Sequence, residues 1–161
     1  MLQTISILLE NKPGALLRVT GVLSARGYNI ESLTVAKTLD PELSRMTITV
    51  DASRFPVEQI TKQLDKLVNV IKVRDLDPEN MVAFELGLYK VSTTEAARAE
   101  VLALVEIFEG KIVDVTRDSM IIQATGTTAE LENLEELLRH NGLVEMVRTG
   151  VVALGRGSKT T

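Results

Sequence analysis

The feature that most constrains the fold is an order of strand-like and helix-like segments that occurs twice along the chain. In the first half, an apolar run over residues 2–9 precedes a helix-like segment, two strand-like runs, a second helix-like segment and a last apolar run. The clearest strand is centred on Met46, Ile48 and Val50, because these apolar residues alternate with polar ones. The order β-α-β-β-α-β, with right-handed crossovers, favours a ferredoxin-like topology.

The second half repeats this order without obvious residue-level identity. A short polar stretch, Asp77-Pro78-Glu79-Asn80, separates the halves. We therefore expect an α+β protein with two ferredoxin-like βαββαβ domains in tandem, residues 1–76 and 81–161, joined by a linker at 77–80. One face of each sheet should remain available, and residues 155–161 should be loose. The last strand should extend over residues 144–154.

Sequence signals mark the helix boundaries in both halves. In the first helix Asn11 can act as a cap, Pro13 suits the first turn, and Gly27 follows as a stop. Its apolar face should contain Leu16, Val19 and Leu23 at helical spacing. In the second half, the signals are Thr94 and Thr127 or Thr128 before the helices, and Gly110 and Asn141-Gly142 after them.

The start of the first helix is the most promising binding feature of the sequence. Free N–H groups and the positive end of the helix dipole form an anion site, and Gly14 lets another group approach the backbone. The side-chain amides of Asn11 and Asn29 both donate and accept, which suits an amino-acid zwitterion better than a phosphate. A well-capped helix without a ligand is the alternative that the spacing leaves open.

Composition excludes several classes of protein. The net charge of −4 argues against nucleic acid as the main partner, and the absence of Cys excludes disulfides and thiolate metal sites. No apolar run approaches the length of about 20 residues that a membrane span needs, and the first residues lack a signal-peptide pattern. We therefore expect a cytoplasmic protein with no membrane association.

No catalytic motif is found. The chain lacks a nucleophile elbow, a phosphate-binding loop and a zinc-protease helix motif. Glu132, Glu135 and Glu136 are interpreted as the solvated face of an amphipathic helix. The only histidine, His140, lies at the end of that helix, where a cation interacts favourably with the dipole, so a metal site is not expected.

Several motifs together resemble one family. N-x-P-G-A-L at the first helix, R-G-Y-N-I-E-S-L-T-V-A after it and L-S-R-M-T at residues 43–47 are similar to the small, regulatory subunit of acetolactate synthase (acetohydroxyacid synthase), which has an N-terminal ACT domain. K-I-V-D-V-T at 111–116 and R-T-G-V-V-A-L-G-R-G at 148–157 extend the resemblance over nearly the whole chain.

This resemblance implies an amino-acid site at the interface of a homodimer. One protomer would contribute the start of the first helix, and the second strand of its partner would close the site. The implied valine-binding residues are Asn11, Pro13, Gly14, Ala15, Leu16, Asn29 and Ile30.

The resemblance also implies the function. The chain would be non-catalytic, would activate a separate large catalytic subunit in branched-chain amino-acid biosynthesis, and would confer feedback inhibition by valine. Thiamine diphosphate, magnesium and FAD would belong to that partner, with no cofactor or metal in this chain. Arg45 is a candidate contact with the catalytic subunit.

The sequence departs from the family pattern at Phe84, Tyr89 and Glu109, which leaves the ligand of the C-terminal domain undefined. Two other hypotheses remain. One is a stand-alone amino-acid-sensing ACT protein of another pathway, and the other is a small enzyme in its own right.

Overall fold

The computed structural model describes all residues from Met1 to Thr161 and divides into two compact units. The first unit contains Met1–Ala83 together with Val151–Thr161, and the second contains Phe84–Gly150. Each unit has its own apolar core. No helix is long and apolar enough to cross a membrane.

The first unit has the predicted order of elements. They are β1 (Leu2–Glu10), α1 (Ala15–Ala25), β2 (Ile30–Lys37), β3 (Leu43–Asp51), α2 (Val57–Asp65) and β4 (Val70–Leu76). The strands form an antiparallel sheet in the order β2-β3-β1-β4, in which Ile5 lies opposite Ile48 and Ile7 opposite Met46. The ferredoxin-like topology is confirmed for this unit.

Helix α1 begins and packs differently from the prediction. Asn11 does not cap it, because the N-cap is Gly14 with φ +83°, and Pro13 precedes the first turn. The buried face contains Ala15, Val19 and Leu23, whereas Leu16 is 41% exposed. Sequence spacing alone does not determine which of two neighbouring residues faces the core. Here Ala15, and not Leu16, occupies the core position.

The end of α1 agrees with the prediction. Gly27 has φ +76°, its N–H donates to the Ser24 carbonyl, and the Tyr28 N–H donates to the Leu23 carbonyl at 3.0 Å. These two bonds form a Schellman motif, which favours glycine at the left-handed position.

The second unit repeats the topology with a different set of residues. Its elements are β5 (Met81–Ser92, whose first residues belong to the first unit), α3 (Glu95–Ile107), β6 (Lys111–Val115), β7 (Ser119–Gly126), α4 (Thr128–Arg139) and β8 (Leu143–Arg148). The strand order is β6-β7-β5-β8, and all pairings are antiparallel. The tandem ferredoxin-like architecture is therefore confirmed.

The helix ends of this unit follow from local chemistry, with one difference. Thr94 caps α3, and Thr127 caps α4 through a capping box with Glu130. The left-handed residue after α3 is Glu109 with φ +53°, not Gly110. Gly110 instead allows close packing, because a Cβ there would lie 3.0 Å from the carbonyl oxygen of Gln123 in β7.

The expected last strand is divided into two. Strand β8 ends at Arg148, and a ninth strand, β9 (Val152–Gly155), pairs with β5 and belongs to the first unit. Gly150 with φ +81° breaks the extended chain between them. Residues 151–161 therefore group with the first compact unit, although the sequence analysis assigned them to the second domain.

Residues 151–161 contact the open face of the first sheet, which was expected to be free. The Val151 N–H donates to Ser32 Oγ at 3.3 Å, and the carbonyls of Lys159 and Thr160 accept hydrogen bonds from Arg74 and Lys72. The prediction of a loose terminus did not anticipate these contacts.

Candidate effector site

The loop between β1 and α1 is held in place mainly by backbone hydrogen bonds. The Asn11 N–H donates to the Glu42 carbonyl at 2.8 Å, and the Ala15 N–H donates to the Lys12 carbonyl at 3.2 Å. Residues 11–14 are exposed, so the loop is ordered without being covered by the rest of the chain. Gly14 supplies the positive φ that lets the chain turn from Pro13 into the helix.

Three backbone amides at this helix start are available to a ligand. The N–H groups of Gly14, Leu16 and Leu17 donate to no protein atom. They belong to the first turn, where an α-helix leaves its N–H groups without intrahelical partners. Nothing lies within 4 Å of the position that a Cβ of Gly14 would occupy. The site is thus an open cluster of donors suited to a carboxylate.

In the Asn11 side chain, the amide nitrogen is hydrogen-bonded and the amide oxygen is available. Its Nδ2 donates to the Pro41 carbonyl at 2.9 Å, which orients the side chain. The amide oxygen accepts no hydrogen bond within the chain and can accept from an ammonium group. The side chain is therefore oriented for a zwitterion without capping the helix.

The two strand residues of the predicted site lie at the opposite end of the sheet. The Asn29 carbonyl accepts from the Asp51 N–H at 3.1 Å, and Asp51 lies opposite Leu2 at the start of β1. The loop at Asn11 follows the end of this nine-residue strand, which spans roughly 25 Å. One protomer therefore does not bring the two halves of the predicted site together.

An open pocket of about 230 Å³ lies beside Asn29, lined by Gly27, Asn29, Asp51, Ser53, Arg54 and Phe55. Its wall is fixed by an edge-to-face contact between Tyr28 and Phe55, with ring centroids 5.1 Å apart. The side-chain amide of Asn29 also donates to the Glu31 carboxylate. An amide group and charged groups of both signs therefore line this end of the sheet.

The carboxylate in this pocket is held ionised. Hydrogen bonds from Ser53, supplemented by the N-terminal ammonium group, lower the pKa of Asp51 to about 2. The Ser53 N–H donates to Oδ1 at 3.0 Å, and the Met1 nitrogen lies 3.1 Å from the same oxygen. The sequence analysis did not identify Asp51 or Ser53 as residues of a pocket. The Asp-x-Ser spacing, which is typical of an Asx-turn, was the available signal.

Ala15, Leu16 and Ile30 contribute unequally to an apolar ligand surface. Ala15 is buried in the core, and Ile30 packs partly against the same core. Leu16 is exposed next to the free amides. Among these three residues, Leu16 offers most of the apolar surface at the helix start.

Arg45, the candidate partner contact, lies on the sheet face opposite the helices. Its Nη1 donates to Ser6 Oγ at 3.0 Å, and its Nη2 lies 3.5 Å from the carbonyl oxygen of Thr161. This side chain is half-buried and bound within the chain rather than freely exposed.

A cluster of charged residues in the second unit corrects one interpretation. Glu135, expected on a solvated helix face, is 6% exposed, and Glu85 in β5 is 2% exposed. Arg148 lies between them, with Nη1 3.0 Å from Glu135 Oε1 and Nη2 3.2 Å from Glu85 Oε2. The partner that makes the burial of Glu135 possible is Arg148, which lies 13 residues further along the chain in β8.

Each carboxylate oxygen of this cluster accepts a hydrogen bond from within the chain. Tyr89 donates to Glu135 at 3.1 Å, and Thr128 donates to Glu85 at 2.6 Å. Burial, reinforced by the charge of Glu135, raises the pKa of Tyr89. Although desolvation opposes it, bonding to Glu135 and the charge of Glu85 raise the pKa of Arg148. The cluster lacks a free acid or base and is structural in character.

Metal binding finds no support in the geometry. No three His, Cys, Asp or Glu side chains are grouped so that they could hold an ion.

Comparisons with known proteins cover both units. Residues 5–72 match the family described as the AHAS small subunit-like ACT domain, and residues 84–157 match that of the small subunit of acetolactate synthase. The acetolactate synthase small subunit of Mycolicibacterium smegmatis is 45% identical, covering 97% of this chain and 92% of that protein. The probable small subunit of Archaeoglobus fulgidus is 47% identical, covering 99% of both.

A solved structure gives the same result. The crystal structure of the acetolactate synthase small subunit from Thermotoga maritima matches with a TM-score of 0.91 and 42% identity, covering 99% of both chains. These full-length matches agree with the strand order and with the glycine at the start of α1. The chain belongs to the family of acetolactate synthase small subunits.

Proposed function

We propose that this chain is a non-catalytic regulatory subunit that activates the catalytic subunit of acetolactate synthase in the cytoplasm and makes it sensitive to valine. The observation that carries the proposal is the set of three unpartnered amides at Gly14, Leu16 and Leu17 beside the oriented side chain of Asn11. The amides bind the carboxylate of valine, and the Asn11 oxygen accepts from its ammonium group.

A second copy of the chain completes the site. Strand β2 lies at the edge of its sheet, and an exposed edge favours pairing with another strand. β2 runs in the same direction as β1, since Lys37 and Leu9 both lie opposite Ser44. Antiparallel pairing of two β2 strands about a two-fold axis brings Asn29 of one copy to the end of the sheet that carries Gly14 of the other. A homodimer therefore explains why the two halves of the site are separated within one chain.

The side chain of the ligand is recognised by apolar contact. Leu16 of one copy and Ile30 of the other bury a small branched side chain, which contributes about 1.5–3 kcal/mol. One methylene changes the binding free energy by only about 1–3 kcal/mol. The site should therefore prefer valine over leucine and isoleucine without excluding them.

Catalysis belongs to the partner. Thiamine diphosphate, magnesium and FAD bind the large subunit, which condenses two pyruvate molecules to 2-acetolactate. This chain acts through a coupling free energy between sites, typically about 1–3 kcal/mol. The full-length matches to acetolactate synthase small subunits favour this function over a stand-alone sensor of another pathway.

The direct experiment mixes the chain with an acetolactate synthase catalytic subunit and measures acetolactate formation with and without valine. We expect the chain to raise the rate and valine to reverse that gain. Isothermal titration calorimetry with valine, leucine and alanine should give saturable heat, with the highest affinity for valine. A folded dimer that shows no valine heat would contradict the sensor, and a dimer that does not activate the catalytic subunit would favour the stand-alone sensor.

Gly14→Asp and Gly14→Asn form a matched pair that locates the site. Both side chains project into open space and tolerate the left-handed conformation better than other residues, but only aspartate carries a charge. The carboxylate of Gly14→Asp occupies the positive end of the helix and repels that of the ligand. We expect loss of inhibition in Gly14→Asp with activation retained, and partial inhibition in Gly14→Asn. Equal inhibition in the two variants would show that the ligand carboxylate binds elsewhere.

A further inference from the structure

Three cations lie close together on the sheet face of the first unit opposite its helices. Arg45 in β3 and Lys72 in β4 lie on either side of Leu8 in β1, and Arg74 lies opposite Ser6. Because adjacent strands are about 4.8 Å apart, the backbones that carry Arg45 and Lys72 are about 10 Å apart. We call Arg45, Lys72 and Arg74 the basic patch.

No side-chain carboxylate pairs with the basic patch. None of its three side chains forms a salt bridge, although the chain contains seven ion pairs elsewhere. The nearest acid along β1 on this face, Glu10, pairs with Lys12 at 3.3 Å. The three positive charges of the basic patch therefore have no acidic side chain as a partner, in a chain whose net charge is −4.

The groups that do bind the basic patch are main-chain oxygens of residues 159–161. Lys72 Nζ donates to Thr160 at 2.8 Å, Arg74 Nη1 to Lys159 at 2.9 Å, and Arg45 Nη2 lies 3.5 Å from Thr161. Residues 151–161 contain no Asp or Glu and add two cations of their own, Arg156 and Lys159. A cationic segment thus lies over a cationic surface, although charged donors bind carboxylates more strongly than neutral acceptors.

The hydrogen bonding of residues 151–161 differs before and after Gly157. Before it, β9 pairs with β5, the Arg156 N–H donates to the Asn80 carbonyl at 2.7 Å, and Gly155 packs against Arg74. A Cβ at Gly155 would lie 2.8 Å from Arg74 Nη1, so a larger residue there would displace the Arg74 guanidinium. After Gly157, which has φ +80°, residues 158–161 form no hydrogen bond except those from the basic patch.

We propose that the basic patch is a docking surface for an extended acidic segment of a partner protein, and that residues 158–161 are a releasable cover over it. Carboxylates of the partner replace the three main-chain oxygens and neutralise the patch, while β9 stays in place. Charge complementarity identifies the occupant as acidic. The proposal concerns a different face of the unit from the valine site and does not depend on valine binding.

The test uses a fluorescein-labelled hexaglutamate peptide and the full chain, followed by fluorescence anisotropy at low salt. The patch variant carries Arg45→Gln, Lys72→Gln and Arg74→Gln. The control variant carries Lys62→Gln, Lys66→Gln and Lys111→Gln, which remove the same charge at exposed positions. We expect at least tenfold weaker binding for the patch variant and less than threefold for the control. A chain that stops at Gly157 should bind at least threefold more tightly than the full chain.

Several outcomes would overturn the proposal. Equal weakening in the two triple variants would mean non-specific attraction, and unchanged binding by the shortened chain would mean that residues 158–161 do not cover the site. Displacement of the peptide by sulfate, at an ionic strength matched with sodium chloride, would assign the patch to a small anion. Circular dichroism checks that each variant is folded. Valine titration of the unmodified chain is measured separately, so failure of either proposal is distinguishable from failure of the other.

Discussion

The two units have the same strand order but place their polar groups differently. In the first unit, the core beneath the helices is apolar, and the buried hydroxyl groups of Ser6, Thr47 and Thr49 lie on the other sheet face. In the second unit, the interior includes Glu85 and Glu135 together with Arg148. The same topology therefore tolerates either an apolar interior or a paired ionic one.

The difference shows what the fold requires and what it permits. Alternation of apolar residues is enough to place each strand in its sheet, because one face must be buried. Buried charges are permitted where every oxygen has a partner, since an unpaired ion in the interior costs several kcal/mol. Neutral hydroxyls cost less, and the structure leaves Thr49 Oγ1 without a hydrogen-bond partner.

The strongest test of the shared topology is a pair of substitutions, each of which creates a cavity in one of two equivalent strands. Ile48→Ala in β3 and Ile122→Ala in β7 each remove a fully buried side chain. We expect each to lower the free energy of unfolding by about 2–5 kcal/mol, because burial is lost and a cavity remains. Hydrogen exchange followed by mass spectrometry should show the larger loss of protection in the unit that holds the cavity. A loss below about 1 kcal/mol at either position would contradict the assigned core.

The ionic cluster of the second unit gives the next largest effect. Arg148→Met leaves Glu85 and Glu135 buried without a counter-charge, and we expect a loss of about 3 kcal/mol, below that of a fully buried pair because Arg148 is partly exposed. Urea unfolding monitored by circular dichroism measures it.

Two variants make the Arg148 result interpretable. Adding Glu85→Gln and Glu135→Gln to Arg148→Met should recover part of the loss, since the charges are removed. Arg139→Met breaks only an exposed ion pair with Glu136 and should change stability by less than about 0.5 kcal/mol. Equal effects of Arg148→Met and Arg139→Met would mean that the cluster contributes little.

Helix capping also differs between the two units, and its expected effect on stability is smaller. Both helices of the second unit have a threonine cap, whereas α1 and α2 begin at Gly14 and Pro56 without a side-chain cap. Thr127→Ala removes a capping box and should cost about 1 kcal/mol, measured by thermal unfolding. Thr94→Ala removes a single bond and should cost less. The reverse order would contradict the capping box.

The smallest expected effect is a pH dependence confined to the first unit. The folded-state pKa of Asp51 is lowered from 3.8 to about 2, so its contribution to stability is present above pH 4 and is lost as the pH falls towards 2. Asp51→Asn should therefore flatten the stability profile between pH 4 and pH 2 and lower stability slightly at pH 7. Urea titrations at several pH values would detect this, and an unchanged acid profile would contradict the assigned hydrogen bonds.

Most of the fold could be predicted from local patterns, and part of the candidate site could not. The loop at Asn11 and Gly14 was recognisable from residue types, but the role of each residue was not. Gly14, rather than Asn11, is the N-cap, and Asn11 is instead bonded to residues 41 and 42, which are distant in sequence. The pocket residues Ser53 and Arg54 lie 24 or more residues from Asn29, so no spacing rule connects them.

The sequence by itself determined the type and order of the elements from β1 to α4, the Thr94 cap and the end of α1, because these depend on contacts within a few residues. Only the tertiary structure decided that Glu135 is buried, that residues 151–161 belong with the first unit, and that Arg45 is covered. Each of these depends on a partner that is distant along the chain, such as Arg148 for Glu135. Burial and ion pairing are properties of three-dimensional neighbours, whereas secondary structure is encoded mainly by neighbours in sequence.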